Sequence, residues 1–280
     1  VTLTAVTENL SITGKTNADD GFGIGFDTNN NLMGNASVTI LADSQEWDYG
    51  STPPAISVQG NGSLEMGPYA GSTDFDSPIN LANVDFGTTF TSAKLGVPTA
   101  TGFDLRVGTQ GLSVNGPIEI YGGTPTIDGE IASKAEGQSV LIQGASGIEV
   151  SKNISTTNGS LTLNGTTSAS DSITLSSGSG DLTVTDALLA TTAGTHDLNL
   201  NSTGTAKIGG AVGNSTGSAT TFFNNLTTNA GGTTEFSGNI VALTQTFNDD
   251  IVLNGSMSMG SMGTAAGLTA TFNGNVDATN

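Results

Sequence analysis

Apolar residues in this chain come in pairs, one residue apart, set between small polar residues. Gly159-Ser-Leu161-Thr-Leu163-Asn-Gly165 is followed by Gly180-Asp-Leu182-Thr-Val184-Thr-Asp186 and then by His196-Asp-Leu198-Asn-Leu200-Asn-Ser202. This alternation predicts short strands with the apolar pair inward and the intervening polar residue outward. Gly-Asn, Asn-Gly and Ser-Gly pairs between the phrases predict turns that need positive φ. The same pattern predicts strands at 1–6, 10–13, 38–41, 56–58, 105–107, 112–114, 118–120, 140–143 and 148–150. Helical spacing is nearly absent; 186–190 is the best candidate, one turn at most, and it reads equally well as a strand.

Phrases this short and this close do not suit separate sandwich domains. They predict the coils of an all-β solenoid, each stacking on its neighbours, about 14 coils of roughly 20 residues. A second phrase, Phe236-Ser-Gly-Asn-Ile240, recurs as Phe247-Asn-Asp-Asp-Ile251 and Phe272-Asn-Gly-Asn-Val276, with Ile208-Gly-Gly-Ala-Val212 as a weaker copy. It suits a chain turning a coil corner, with both apolar ends inward. The distance from Phe236 to Phe272 reads as two coils of about 18 residues. Residues 14–100 are less regular and hold the only Trp. We therefore expect residues 1–100 to be an irregular solenoid start with protruding loops or a cap, and 101–280 to be a regular solenoid.

Composition agrees with a thin core. Of 280 residues, 40 are Gly, only 5% are aromatic, and 35% are apolar, too few for a thick compact core. There are 25 Asp and Glu against 6 Lys and Arg, a net charge of −19. That argues against nucleic acid and anionic membranes as partners, since phosphate binding draws on Lys and Arg. Charged residues are only 11% of the chain, and the regular strand phrases argue against a disordered polyanion. No window nears the length of a membrane-spanning helix. No cysteine is present, so hydrogen bonds and packing must hold the fold. Both ends of the sequence fall in mid-pattern, which suggests a mature or excised piece of a longer chain.

The stretches Ile208-Gly-Gly-Ala-Val-Gly-Asn, Leu226-Thr-Thr-Asn-Ala-Gly-Gly-Thr-Thr-Glu-Phe-Ser-Gly-Asn-Ile240 and Thr244-Gln-Thr-Phe-Asn-Asp-Asp-Ile-Val-Leu-Asn-Gly255 resemble the repeat regions of filamentous-haemagglutinin-type bacterial exoproteins and adhesins. The resemblance covers roughly 140–280 well and 1–139 loosely. It implies a single right-handed parallel β-helix, export across the outer membrane, and a role in adhesion or surface structure. The Asn-Pro-Asn-Leu and Asn-Pro-Asn-Gly signatures of that family's secretion domain are missing, so the resemblance implies shaft rather than export signal.

Residues with chemical potential are sparse. His196 is the only histidine, so a Ser/His/Asp relay or a His-based zinc site would rest on it alone; a solvated turn is the plainer reading. Paired acids occur at Asp19-Asp20, Asp74/Asp76, Asp249-Asp250 and Glu130 near Glu136. Glycosidases work with such pairs, but here the cations that would hold a sugar are few and scattered. Asp19, Asp20, Asp74 and Asp76 could supply hard oxygen ligands to calcium, the one cofactor the sequence suggests, although neither an EF-hand nor a Gly-Gly-x-Gly-x-Asp array is present. Met257, Met259 and Met262 read as core filling. Thr-x-Thr phrases suggest ice binding, but along the sequence their positions drift and coil lengths vary. Asn-x-Ser/Thr sequons are frequent, as this composition generates by chance. Trp47, Tyr49 and Tyr69, aromatics in an aromatic-poor chain, either anchor a partner or plug a cap.

The reading that follows is a non-enzymatic, extracellular, bacterial cell-surface β-solenoid: a stiff shaft of an adhesin or a subunit of a filament. Its expected partners are further copies of itself, end to end through exposed edge coils, and glycans or proteins of a host or neighbouring cell. A carbohydrate-active β-helix enzyme or tailspike-like depolymerase, and a calcium-dependent binding module, are the alternatives.

Overall fold

The computed structural model describes residues 2–5, 9–14, 24–26, 31–34, 36–42, 44–47, 56–69, 75, 77–99, 102–214, 220–260 and 269–279. Every regular element among them is a β-strand, and every strand pair is parallel. Parallel strands cannot follow one another through a tight hairpin. The chain therefore closes a coil before each strand meets its partner, which makes the fold a β-solenoid. It forms two compact units, Val1–Ala135 with Leu141–Ser146, and Glu136–Val140 with Gly147–Asn280.

In the first unit the longest ladder runs through Leu10–Gly14, Val38–Ala42, Ser63–Gly67, Ser92–Leu95 and Ile118–Gly122. Its register stacks Leu10, Val38, Leu64, Ala93 and Ile118 in one column. A second ladder joins Asn31–Gly34, Ile56–Gly60 and Val84–Phe86. A third joins Ile79–Leu81, Leu105–Val107 and Thr126–Ile127. The column residues are buried from Val38 onward, as the alternation requires.

The strands of the second unit fall on three faces. The first face holds Ile154–Thr157, Ile173–Gly178, Leu198–Ser202, Phe223–Thr228, Ile240–Phe247 and Thr269–Phe272. The second holds Leu161–Asn164, Leu182–Val184, Thr205–Ile208, Thr233–Phe236, Asp250–Asn254 and Val276–Thr279. The third holds Ile148–Val150, Thr167–Ala169 and Leu188–Ala190, and continues through single bridges at Val212 and Ile240. Leu161, Leu182, Leu198, Leu200 and Leu226 are all essentially fully buried. Each contributes about 1.5–3 kcal/mol of transfer free energy.

The strand predictions hold, and 186–190 is a strand rather than a helical turn, at Leu188–Ala190. The corner phrase holds too. Phe236 ends a second-face strand and Ile240 opens the third face. Phe247 ends a first-face strand and Ile251 sits on the second, and all four are buried. Two details of the repeat differ from expectation. The phrase at Leu198 and Leu200 is not the next copy of the one at Leu182: Leu182 lies in register with Leu161, whereas Leu198 lies against Ile173 on the first face. Coil length is also not fixed near 18 or 20. Contacting residues of successive coils stand 19 positions apart at Asn239 and Ser258, 21 at Asn158 and Ser179, and 29 at Gly60 and Thr89. A ladder fixes the strands but leaves corner length free, so corners absorb the variation.

Glycine enables the corner between the first and second faces. Gly159, Gly180, Gly204 and Gly232 stack there, coil on coil. A Cβ at Gly180 would collide with the Gly159 carbonyl oxygen, and one at Gly204 or Gly232 would press to 2.9 or 2.8 Å of the preceding glycine's oxygen. Asn158, just before this column, takes the left-handed conformation at φ 59°, which Asn tolerates better than most residues.

Candidate functional surfaces

The acidic and amide residues have a use that the sequence reading missed. An Asn or Asp stands at or immediately before the start of many strands, and its Oδ1 accepts a backbone N–H from the next coil. Asn153 accepts from Thr174 (2.8 Å), Asp181 from Thr205 (3.0 Å), Asp197 from Asn225 (3.1 Å), Asn239 from Ser258 (2.9 Å) and Asp250 from Asn275 (2.8 Å). In the first unit Asn9 serves Ser37 (3.1 Å) and Asp104 serves Thr124 (2.9 Å). The N–H groups at these corners lie where the strand ladder is interrupted, and side-chain oxygens replace the missing carbonyls. The signal was present in the sequence as Asn-Leu, Asp-Leu, Asn-Ile and Asp-Ile dipeptides at strand starts.

Several of the paired acids have structural partners of this kind. Asp249 and Asp250 do not converge. Asp249 is 3% exposed, and the hydroxyls of the buried Thr228 and Thr234 both donate to it, Thr234 at 2.7 Å. Asp250 faces out and caps Asn275. Glu136 accepts from the Asn158 amide at 2.9 Å. Lys152 donates to Asp171 at 2.6 Å, and with the Ser172 N–H it holds that carboxyl below the usual carboxylate range. Burial, together with the Glu119 carboxylate that accepts its hydroxyl at 3.1 Å, pushes the Tyr121 phenol up to about 12.

His196 is half-buried rather than solvated, and its Nε2 is shielded without a hydrogen-bond partner among the described residues. Its neighbour Asp197 is engaged by Asn224 and Asn225 (both amides at 2.8 Å). Met257 and Met259 are half-buried near the last coil, and Met262 lies outside the described residues. Asp19, Asp20, Asp74, Asp76 and Tyr49 also lie outside them. Trp47 closes the strand Gln45–Trp47, in register with Phe26. Tyr69 is half-buried beyond the strand Ser63–Gly67. Among the described residues, no group of three or more His, Cys, Asp or Glu could hold a metal, and no helix is long and apolar enough to cross a membrane.

The outward surfaces of the second unit divide by charge. The second face carries Lys207 opposite Glu235 (3.3 Å), then Asp250 and Asp277. The six first-face strands contain no Asp, Glu, Lys or Arg at all.

Val276–Thr279 pairs only with Asp250–Asn254 among the described residues. Phe272, stacked on Phe247 at 5.0 Å, is 39% exposed, and Val276 is 49% exposed. Asn275 occupies the cap position of its strand, yet no N–H is donated to its Oδ1 among the described residues.

A scan against protein-family models found no matching family, and searches of curated proteins and of solved structures found no match.

Proposed function

We propose that this chain is a structural protein of the bacterial cell surface, the shaft of a filamentous-haemagglutinin-like adhesin or a subunit of an extracellular filament. One observation carries this reading: the Asn and Asp residues at the coil corners are spent on joining one coil to the next. Backbone ladders, the Asn and Asp caps and the glycine corner all act between coils. Such a stack resists local opening because each strand is held on both sides. The filament version adds stacking of coils between copies, through strand edges that pair in the same parallel register.

Electron microscopy of the purified protein across a concentration series tests the proposal. Fibres that lengthen with concentration, and that Val276→Lys abolishes, are expected of a filament subunit. Separate particles that withstand protease at concentrations that digest ordinary domains are expected of a shaft segment. Separate particles cut readily within the coils would overturn both versions.

A further inference from the structure

We propose that the first face of the second unit binds ice. The inference stands apart from the shaft or filament reading, because it rests on a surface that coil stacking leaves free.

The observation is a register. Thr174, Asn199, Thr227, Thr246 and Thr271 form one outward column across five successive coils. Asn225, Thr244 and Thr269 form a second column two residues away. The drift of Thr-x-Thr along the sequence is therefore not a drift in space, because variable corners leave the face aligned. Outward residues repeat about 6.6–6.8 Å along a strand and about 4.8 Å between coils. The repeat between coils lies close to the shorter oxygen spacing on the prism faces of ice, and the repeat along the strand is somewhat shorter than the longer one.

Three further properties suit this occupant. The strands of the face carry no charged residue in a chain of net charge −19, and the Asp197 carboxylate at its corner is engaged by Asn224 and Asn225; a free charged group would hold its own hydration shell against a crystal. The hydroxyls of the six threonines have no hydrogen-bond partner among the described residues, whereas those of Thr156, Thr185, Thr228 and Thr234 are all engaged. They are thus available to water as donors and acceptors. Finally, β-branched threonine on a strand is stiff at χ1, so the array is ordered before it meets a surface and loses little freedom on contact.

The test is ice-affinity partitioning. Ice is grown slowly into a solution of the full chain beside an unrelated acidic protein, and the ice and liquid fractions are assayed. The proposal expects the chain to be enriched several-fold in ice relative to the reference. Thr246→Lys, in the middle of the array, should reduce it to the reference level. Thr183→Lys, on the second face, should leave enrichment unchanged. If Thr246→Lys alters the circular dichroism spectrum, Thr227→Tyr replaces it. Exclusion of the unaltered chain from ice would overturn the proposal, as would equal behaviour of the two lysine variants. Exclusion from ice combined with retardation in gels of a neutral polysaccharide, lost in Thr246→Lys, would overturn it in favour of a glycan.

Discussion

The first and second faces of the second unit share one construction and differ in what they show to solvent. Both bury alternating apolar residues, Ile173, Leu198 and Leu226 on one, Leu161 and Leu182 on the other. Outward, the second face pairs Lys207 with Glu235, while the strands of the first carry no charged residue and present mostly hydroxyls and amides. Side chains that point out of a solenoid sheet take little part in its core. The difference between the faces therefore reports how each meets its surroundings, and stability is decided elsewhere, in the inward columns and the corners. Substitutions can separate these contributions.

The largest effect belongs to the corner the two faces share. Gly180→Val places a branched side chain against the Gly159 backbone. Backbone cannot swing aside as a rotamer does, so a loss of at least about 3 kcal/mol is expected. Because coils couple mainly to their neighbours, hydrogen exchange should rise in the peptides around 159–208 on both faces alike. Faster exchange on one face only would refute the shared corner. Asp249→Ala comes next. It strands the hydroxyls of two fully buried threonines, Thr228 and Thr234, at a cost of about 2–4 kcal/mol in chemical denaturation. Asp249→Asn, which keeps an acceptor, should lose less.

Asp181→Ala removes one exposed cap, that of Thr205, and should cost about 1 kcal/mol. Its small size contrasts with Asp249 and measures what burial adds to the same residue type. In the first unit, Tyr121 gives a pH signature. Its folded pKa of about 12 lies above the ordinary 10.0, so its contribution to stability is intact below pH 10 and is lost as pH rises from 10 to 12. Tyr121→Phe should flatten that alkaline decline while lowering neutral stability by about 1 kcal/mol for the lost bond to Glu119.

The inward half of this architecture was legible in the sequence. Period-two alternation fixes which residues face in, and turn-forming pairs fix where strands stop, so the all-β solenoid and the corner role of Phe236 and Phe247 followed. Which strands would stack was not legible. Leu182 and Leu198 sit in nearly identical phrases, yet belong to different faces, because the phrase encodes a strand and only coil closure assigns its partner. The same ignorance hid the Thr174–Thr271 column: without coil lengths, aligned threonines look scattered. The caps were hidden for another reason. Asn and Asp before a strand read equally as turn formers, and their acceptor role appears only when the next coil's N–H is in place. Asp249 illustrates the limit, since composition alone presents Asp249-Asp250 as an acidic pair although one side chain points in and the other out.

The smallest predicted effect is the most direct check on the contrast between faces. Lys207 and Glu235 lie in register at 3.3 Å with side chains 54% and 26% exposed. An ion pair in water at that exposure contributes about 0–1 kcal/mol and is screened by salt. Exchanging Lys207 for Thr would give the second face a residue of the first face's kind. Thr is a good strand former, so the unfolding free energy should shift by no more than about 0.5 kcal/mol, with the difference shrinking at high salt. A larger or salt-independent loss would mean that the charged face is braced by its outward pairs, and that the neutrality of the first face comes at a structural cost. A null result would leave the outward residues of both faces free to be set by what each surface contacts.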